Sequence, residues 1–119
     1  MVIDIFEQAF KDAIILQNTV SRQDTLRRIL ATMLRLLTTE GLLPAILKTY
    51  DEDRKIAEKI TSFVLRLLKS IKEKITDQKT NLETLIEYLK DPELYYVTEL
   101  YLEKLASYAN TLCKGQGST

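Results

Sequence analysis

The chain contains no histidine and a single cysteine, Cys113. These two shortages exclude zinc sites built from His and Cys, Ser-His-Asp and Cys-His nucleophile arrangements, and any disulfide within the chain. Glycine is also scarce: Gly41 is the only one before the terminal GQGST. That leaves no glycine-rich loop to cradle a phosphate. No run approaches the roughly 18 uncharged apolar residues that a membrane span requires. The opening MVIDIFEQAF interrupts its apolar residues with Asp4 and Glu7, unlike a secretion signal. The expectation is a cytoplasmic protein with no membrane partner, no metal, no cofactor and no enzymatic activity.

Glu99 and Glu103 do have the i, i+4 spacing of a metal or acid/base pair. Without histidine or a second such pair they read as a solvated helix face. Cys113 sits where the last helix should fray and reads as an incidental thiol.

What is present is helical. The chain is 45% apolar and 29% charged, ordinary for a globular protein. At 119 residues it should bury roughly two thirds of the surface of its unfolded form, enough for one self-supporting core. We expect an all-α fold: a compact bundle of five to six helices, three of them long, over residues 1–113. Residues 114–119 read as a flexible tail.

The first helix is expected from about Val2 to Gln17, with Ile3, Phe6, Phe10, Ala13 and Ile14 inward. Ser21 suits the N-cap of a second helix reaching about Thr38, whose inner stripe is Leu26, Ile29, Leu30, Met33, Leu34 and Leu37. Gly41 should end that helix in a left-handed conformation, and Pro44 should start a brief third helix to Tyr50. Leu42 and Leu43 between them imply a buried turn.

Asp51 should cap the longest helix, extending to about Asp77, with Ile56, Ile60, Phe63, Val64, Leu67, Leu68, Ile71 and Ile75 as its stripe. Thr80 to Glu83 has capping-box spacing for a short helix through Leu89. Asp91-Pro92-Glu93 then opens a last helix to Leu112, burying Leu94, Tyr101, Leu105, Tyr108 and Leu112.

Charge is zero in total but segregated. Residues 22–35 carry four Arg against one Asp, residues 54–79 eight Lys/Arg against three acids, and residues 80–113 two Lys against six acids. A neutral total argues against an independent high-affinity nucleic-acid binder but allows one basic face. On the fourth helix Lys55, Lys59, Arg66 and Lys69 lie within about 80° of one another, opposite the apolar stripe. Cations at one-turn intervals along a rod suit a repeating phosphate backbone, and equally a solvated face. Arg28 and Arg35 extend the field if the second and fourth helices are neighbours. The six tyrosines, 50, 88, 95, 96, 101 and 108, read mainly as packing residues. Tyr96, Val97 and Leu100 form a second apolar group off the last helix's stripe, suited to a partner or to self-association.

TTEGLLPAIL, residues 38–47, and YLKDPELYYVTELYLEKLASYANTL, residues 88–112, resemble two segments of the small helical subunit of type III CRISPR RNA-guided effector complexes. TTEGLLPAIL (38–47) is similar to that group's Asn-Gly-Leu-Leu-(x)-Thr-Leu turn, with Glu40 for Asn and Ala45 for Thr. YLKDPELYYVTELYLEKLASYANTL (88–112) resembles its terminal helix, where Tyr101 to Ala109 stands in for Leu-Leu-x-Trp-(x)-(x)-Arg-Phe-Ala without the Trp and Arg. The resemblance implies a non-catalytic subunit that stacks with copies of itself beside other subunits of a ribonucleoprotein complex. It would help to hold guide RNA and target nucleic acid by their backbones, with base pairing supplying the sequence recognition.

The residues alone also admit a small helical adaptor using Tyr96, Val97 and Leu100. A helix-turn-helix reader over residues 22–50 is weaker, since PAILKTY offers only Lys48 and Tyr50 as polar readers.

Overall fold

The computed structural model describes residues 4–72 and 81–116, which form six helices and no strand. They are α1 (Ile5–Thr19), α2 (Gln23–Thr39), α3 (Leu42–Glu52), α4 (Arg54–Ile71), α5 (Leu82–Tyr88) and α6 (Pro92–Gln116). The all-α bundle therefore holds, with α2, α4 and α6 its long members at 17, 18 and 25 residues. Among the described residues no helix is long and apolar enough to cross a membrane.

Local chemistry explains the boundaries, and several differ from expectation. Arg22, not Ser21, precedes α2, and no side chain caps it. Gly41 has φ +106° and ψ −177°, open to glycine and strained for other residues. Its amide still closes on the Leu36 carbonyl, at 2.9 Å, and α3 restarts at once at Leu42. Pro44 is thus the third residue of α3, still within the turn whose amides lack partners. Only half of the expected turn is covered: Leu42 is buried and Leu43 is 37% exposed.

Helix α3 continues through Asp51 and Glu52, so neither begins α4. Asp53 does: its carboxylate accepts from the Ile56 amide at 3.1 Å. Helix α4 stops at Ile71, because Lys72 is extended. Asp77 and Ile75 lie outside the described residues, as does Thr80. The cap of α5 is Asn81, whose side chain accepts from the amide and hydroxyl of Thr84 at 3.0 and 2.8 Å. Asp91 does open α6, accepting from the Glu93 amide at 2.9 Å. It also pairs with Lys72, which joins the end of α4 to the start of α6. The α6 helix runs to Gln116, so residues 114–116 belong to it and not to a tail.

Helix α6 is the spine, packed along α1 and α2 and touching α4. The expected stripes of α2 and α4 face the core, with Leu34 and Ile71 half-buried at their margins. Cys113, far from fraying, is buried, and its thiol donates to Gln23 Oε1 at 3.3 Å.

Helix α1 reverses the expectation. Phe6 and Phe10 are 47% and 48% exposed, Ile14 is 37% exposed, and Ile3 is outside the described residues. The buried face is Ala9, Asp12, Ala13, Leu16 and Gln17, so that among the described residues expected inward only Ala13 is covered. Its alanines, with Ala106 and Ala109 buried on α6, suit close approach of the two helices. A hydrogen-bonded Asp12 can be buried at the centre of that face, which residue apolarity does not foretell.

Candidate nucleic-acid interface

The outward side of α4 follows from its inward one: residues spaced to bury Ile56, Ile60, Val64 and Leu67 leave Lys55, Arg66 and their neighbours outside. Lys55 and Arg66 are exposed, and Lys59 and Lys69 half-exposed. The stripe divides chemically. Lys55, Lys59 and Lys69 make no ion pair among the described residues. Arg66 does: one guanidinium nitrogen lies 2.8 Å from Asp12 of α1.

Lys55 and Lys59 line an open groove of about 800 Å³ between the start of α4 and the α1–α2 connection. Arg22, Thr19, Ser21 and Thr25 form its other wall, with Ser62 beside the lysines and Ile56 and Phe63 as apolar lining. Sequence reasoning counted Arg22 only in a charge balance. The short link from Thr19 to Gln23 is what swings it opposite Lys55. Two acids also border the groove, and both are engaged within the chain. Asp53 caps α4, and Glu58 pairs with Arg54 at 3.3 Å. Three cations and four hydroxyls therefore face one channel.

Arg28 and Arg35 are not brought into it. Helices α2 and α4 share no extensive packing. Arg28 turns to Glu52 at the end of α3, which Lys48 also approaches at 3.6 Å. The hydrogen bond from Arg28 is the main reason that the Glu52 carboxyl titrates below its ordinary value. Arg35 is exposed on α2 with no ion pair among the described residues.

Behind the stripe lies a feature that sequence reasoning missed. Asp12 is 1% exposed and collects three donors: Arg66, Gln8 at 3.1 Å, and the hydroxyl of Tyr101, itself fully buried. Burial, reinforced by the bond to Asp12, pushes the Tyr101 phenol up, so it stays protonated as donor. The one available signal was an acid three residues after Ala9 and one before Ala13, on the small-residue face.

The expected partner group is only partly open. Tyr96 is 65% exposed, whereas Val97 packs against the core and Leu100 is half-buried. Of the other tyrosines, Tyr101 is buried, Tyr50, Tyr88 and Tyr108 are half-buried, and Tyr95 is exposed. Phe6 and Phe10 are also exposed, with Phe10 edge-on to Tyr108 at 5.8 Å between centroids and Lys104 over Phe6. No group of His, Cys, Asp or Glu able to hold a metal occurs among the described residues. The chain matches no family model, and no curated protein and no solved structure is significantly similar to it.

Proposed function

We propose that this chain is a non-catalytic subunit of an RNA-guided interference complex of the type III kind, and that it holds nucleic acid by the backbone along Arg22, Lys55, Lys59 and Lys69. One observation carries the reading: Arg22, Lys55 and Lys59 line a single open groove and none of the three makes an ion pair among the described residues, although Asp53 and Glu58 border the same groove. Lysine and hydroxyl groups contact phosphates without reading bases, as suits a complex in which base pairing supplies specificity. The neutral total charge makes each copy a weak binder, so affinity would accumulate over several copies beside other subunits.

The test is binding of the isolated protein to single-stranded RNA across a salt series, alongside a variant with Arg22, Lys55, Lys59 and Lys69 changed to Glu. Arg66 is left out, because Glu there would face the buried Asp12 with a like charge and destabilise the fold, confusing loss of binding with loss of structure. The reading requires weak, strongly salt-dependent binding that the variant loses with its helix content intact.

An adaptor reading is favoured by one different observation, the 65% exposure of Tyr96. Capture from the native cell separates the two. Recovery with guide RNA supports the first, and recovery of a single protein partner that Tyr96→Ala abolishes supports the second.

A further inference from the structure

Arg66 is the one cation of the α4 stripe whose orientation is dictated from behind. Asp12, 1% exposed, takes a single guanidinium hydrogen bond at 2.8 Å, and the guanidinium carbon stands 5.5 Å from the Phe63 ring centre. The side chain nevertheless remains 60% exposed and makes no other hydrogen bond among the described residues. About four of the five donors of a guanidinium are therefore uncommitted. They sit on the outward face of α4, roughly 10 Å along the axis from Lys59 and 4.5 Å from Lys69.

We infer that Asp12 is a positioning residue: it holds Arg66 so that the outer part of its guanidinium fork takes a nucleic-acid phosphate, one turn from Lys69. The inference rests on the backbone-binding reading above. A carboxylate on one side of an arginine and a phosphate on the other use the same planar fork without competing for donors. A guanidinium already ordered by a buried acid loses less freedom on gripping a phosphate than a free surface lysine does. Gln8 and Tyr101 complete the shell around Asp12, so its charge is held in place whether or not nucleic acid is bound.

The test uses the full chain and a labelled single-stranded RNA, with affinity read by fluorescence anisotropy over a salt series. Asp12→Asn and Arg66→Lys should each weaken binding about fivefold at low salt with the logarithmic salt slope unchanged, because both keep a cation at position 66, whereas Arg66→Gln should also flatten the slope by about 0.7, one phosphate's worth on a single strand. Tyr101→Phe disturbs the same buried site from the other side. It should lower the melting temperature while leaving affinity unchanged. Arg66→Lys keeps Asp12 and carries the test alone if Asp12→Asn fails to fold. If Lys55→Ala/Lys59→Ala leaves binding intact, the backbone-binding reading falls, and the inference with it. If that pair weakens binding while Asp12→Asn and Arg66→Lys keep the wild-type affinity, only the positioning role is overturned. Equal loss of affinity in Tyr101→Phe would also overturn it, by making Asp12 merely structural.

Discussion

Removing Asp12 and Tyr101 separately and together should reveal one shared interaction. Both groups are buried, at 1% and 0% exposure, and each is the other's partner across α1 and α6. Tyr101→Phe deletes a donor to a buried carboxylate, an interaction worth about 1.5–3 kcal/mol when one partner is charged. We take about 2 kcal/mol, which for a domain of this size lowers the melting temperature by about 8 °C. Asp12→Ala instead strands the Tyr101 hydroxyl, costing about 1–3 kcal/mol. Its other partners, Arg66, 60% exposed, and the half-buried Gln8, can both reach water, Arg66 for less than about 1 kcal/mol. In the double variant no group is stranded, so the loss should be near about 2 kcal/mol and not the sum, giving a coupling of about 2 kcal/mol. Urea unfolding followed by circular dichroism measures all four proteins, with equal m-values required for the comparison. Additive losses would refute the reasoning, because they would mean that Asp12 and Tyr101 do not sense each other.

Gly41→Ala should cost about 1–3 kcal/mol in the same assay, although a Cβ there meets only the Tyr95 hydroxyl at 3.9 Å, because φ +106° strains any side chain. Burial pushes the Cys113 thiol up. Ellman's reagent at about pH 8 should therefore label this thiol, 2% exposed, more slowly in native than in unfolded protein. The same shift contributes stability that is full below the ordinary thiol value and is lost as pH rises through the raised one, which alkaline unfolding will show. Glu52 and Asp91 have the opposite sign. Each carboxyl is lowered first by its hydrogen bond, to Arg28 and Lys72 respectively, so the stability they contribute is lost as pH falls through the lowered folded values. In an NMR titration Arg28→Ala should return Glu52 toward its ordinary 4.5 and leave Asp91 unmoved.

The long apolar stripes were legible because packing rewards their spacing directly. Leu26 to Leu37 on α2 and Ile56 to Leu68 on α4 are buried largely as their periodicity implies. Helix α1 was not, since hydrophobicity is a property of residues and burial a property of neighbours. Its large side chains fall at the edge of the α6 contact, and Ala9 and Ala13 fit beneath. Caps were misplaced by a residue or two wherever several polar residues adjoin, as at Ser21/Arg22 and Asp51/Asp53. Ser21, Asp51 and Asp53 are all suitable caps by type and Arg22 is not, so packing of the flanking helices, not cap chemistry alone, sets where the helices begin. At the interface, Lys55 and Lys59 follow from α4 alone. Arg22 and Asp12 could not be found that way, because they reach the same region from α1 and the link after it.

The account depends most on the three cations at the groove that make no ion pair among the described residues, Arg22, Lys55 and Lys59. The most direct measurement is the salt dependence of single-stranded RNA affinity for the wild-type chain and for the variant with Arg22, Lys55, Lys59 and Lys69 changed to Glu. We predict a straight logarithmic fall with a slope near −3, from about 0.7 ions released for each of four or five phosphates, and no measurable binding by the folded variant. A flat slope, or a variant that binds as the wild type does, would contradict it.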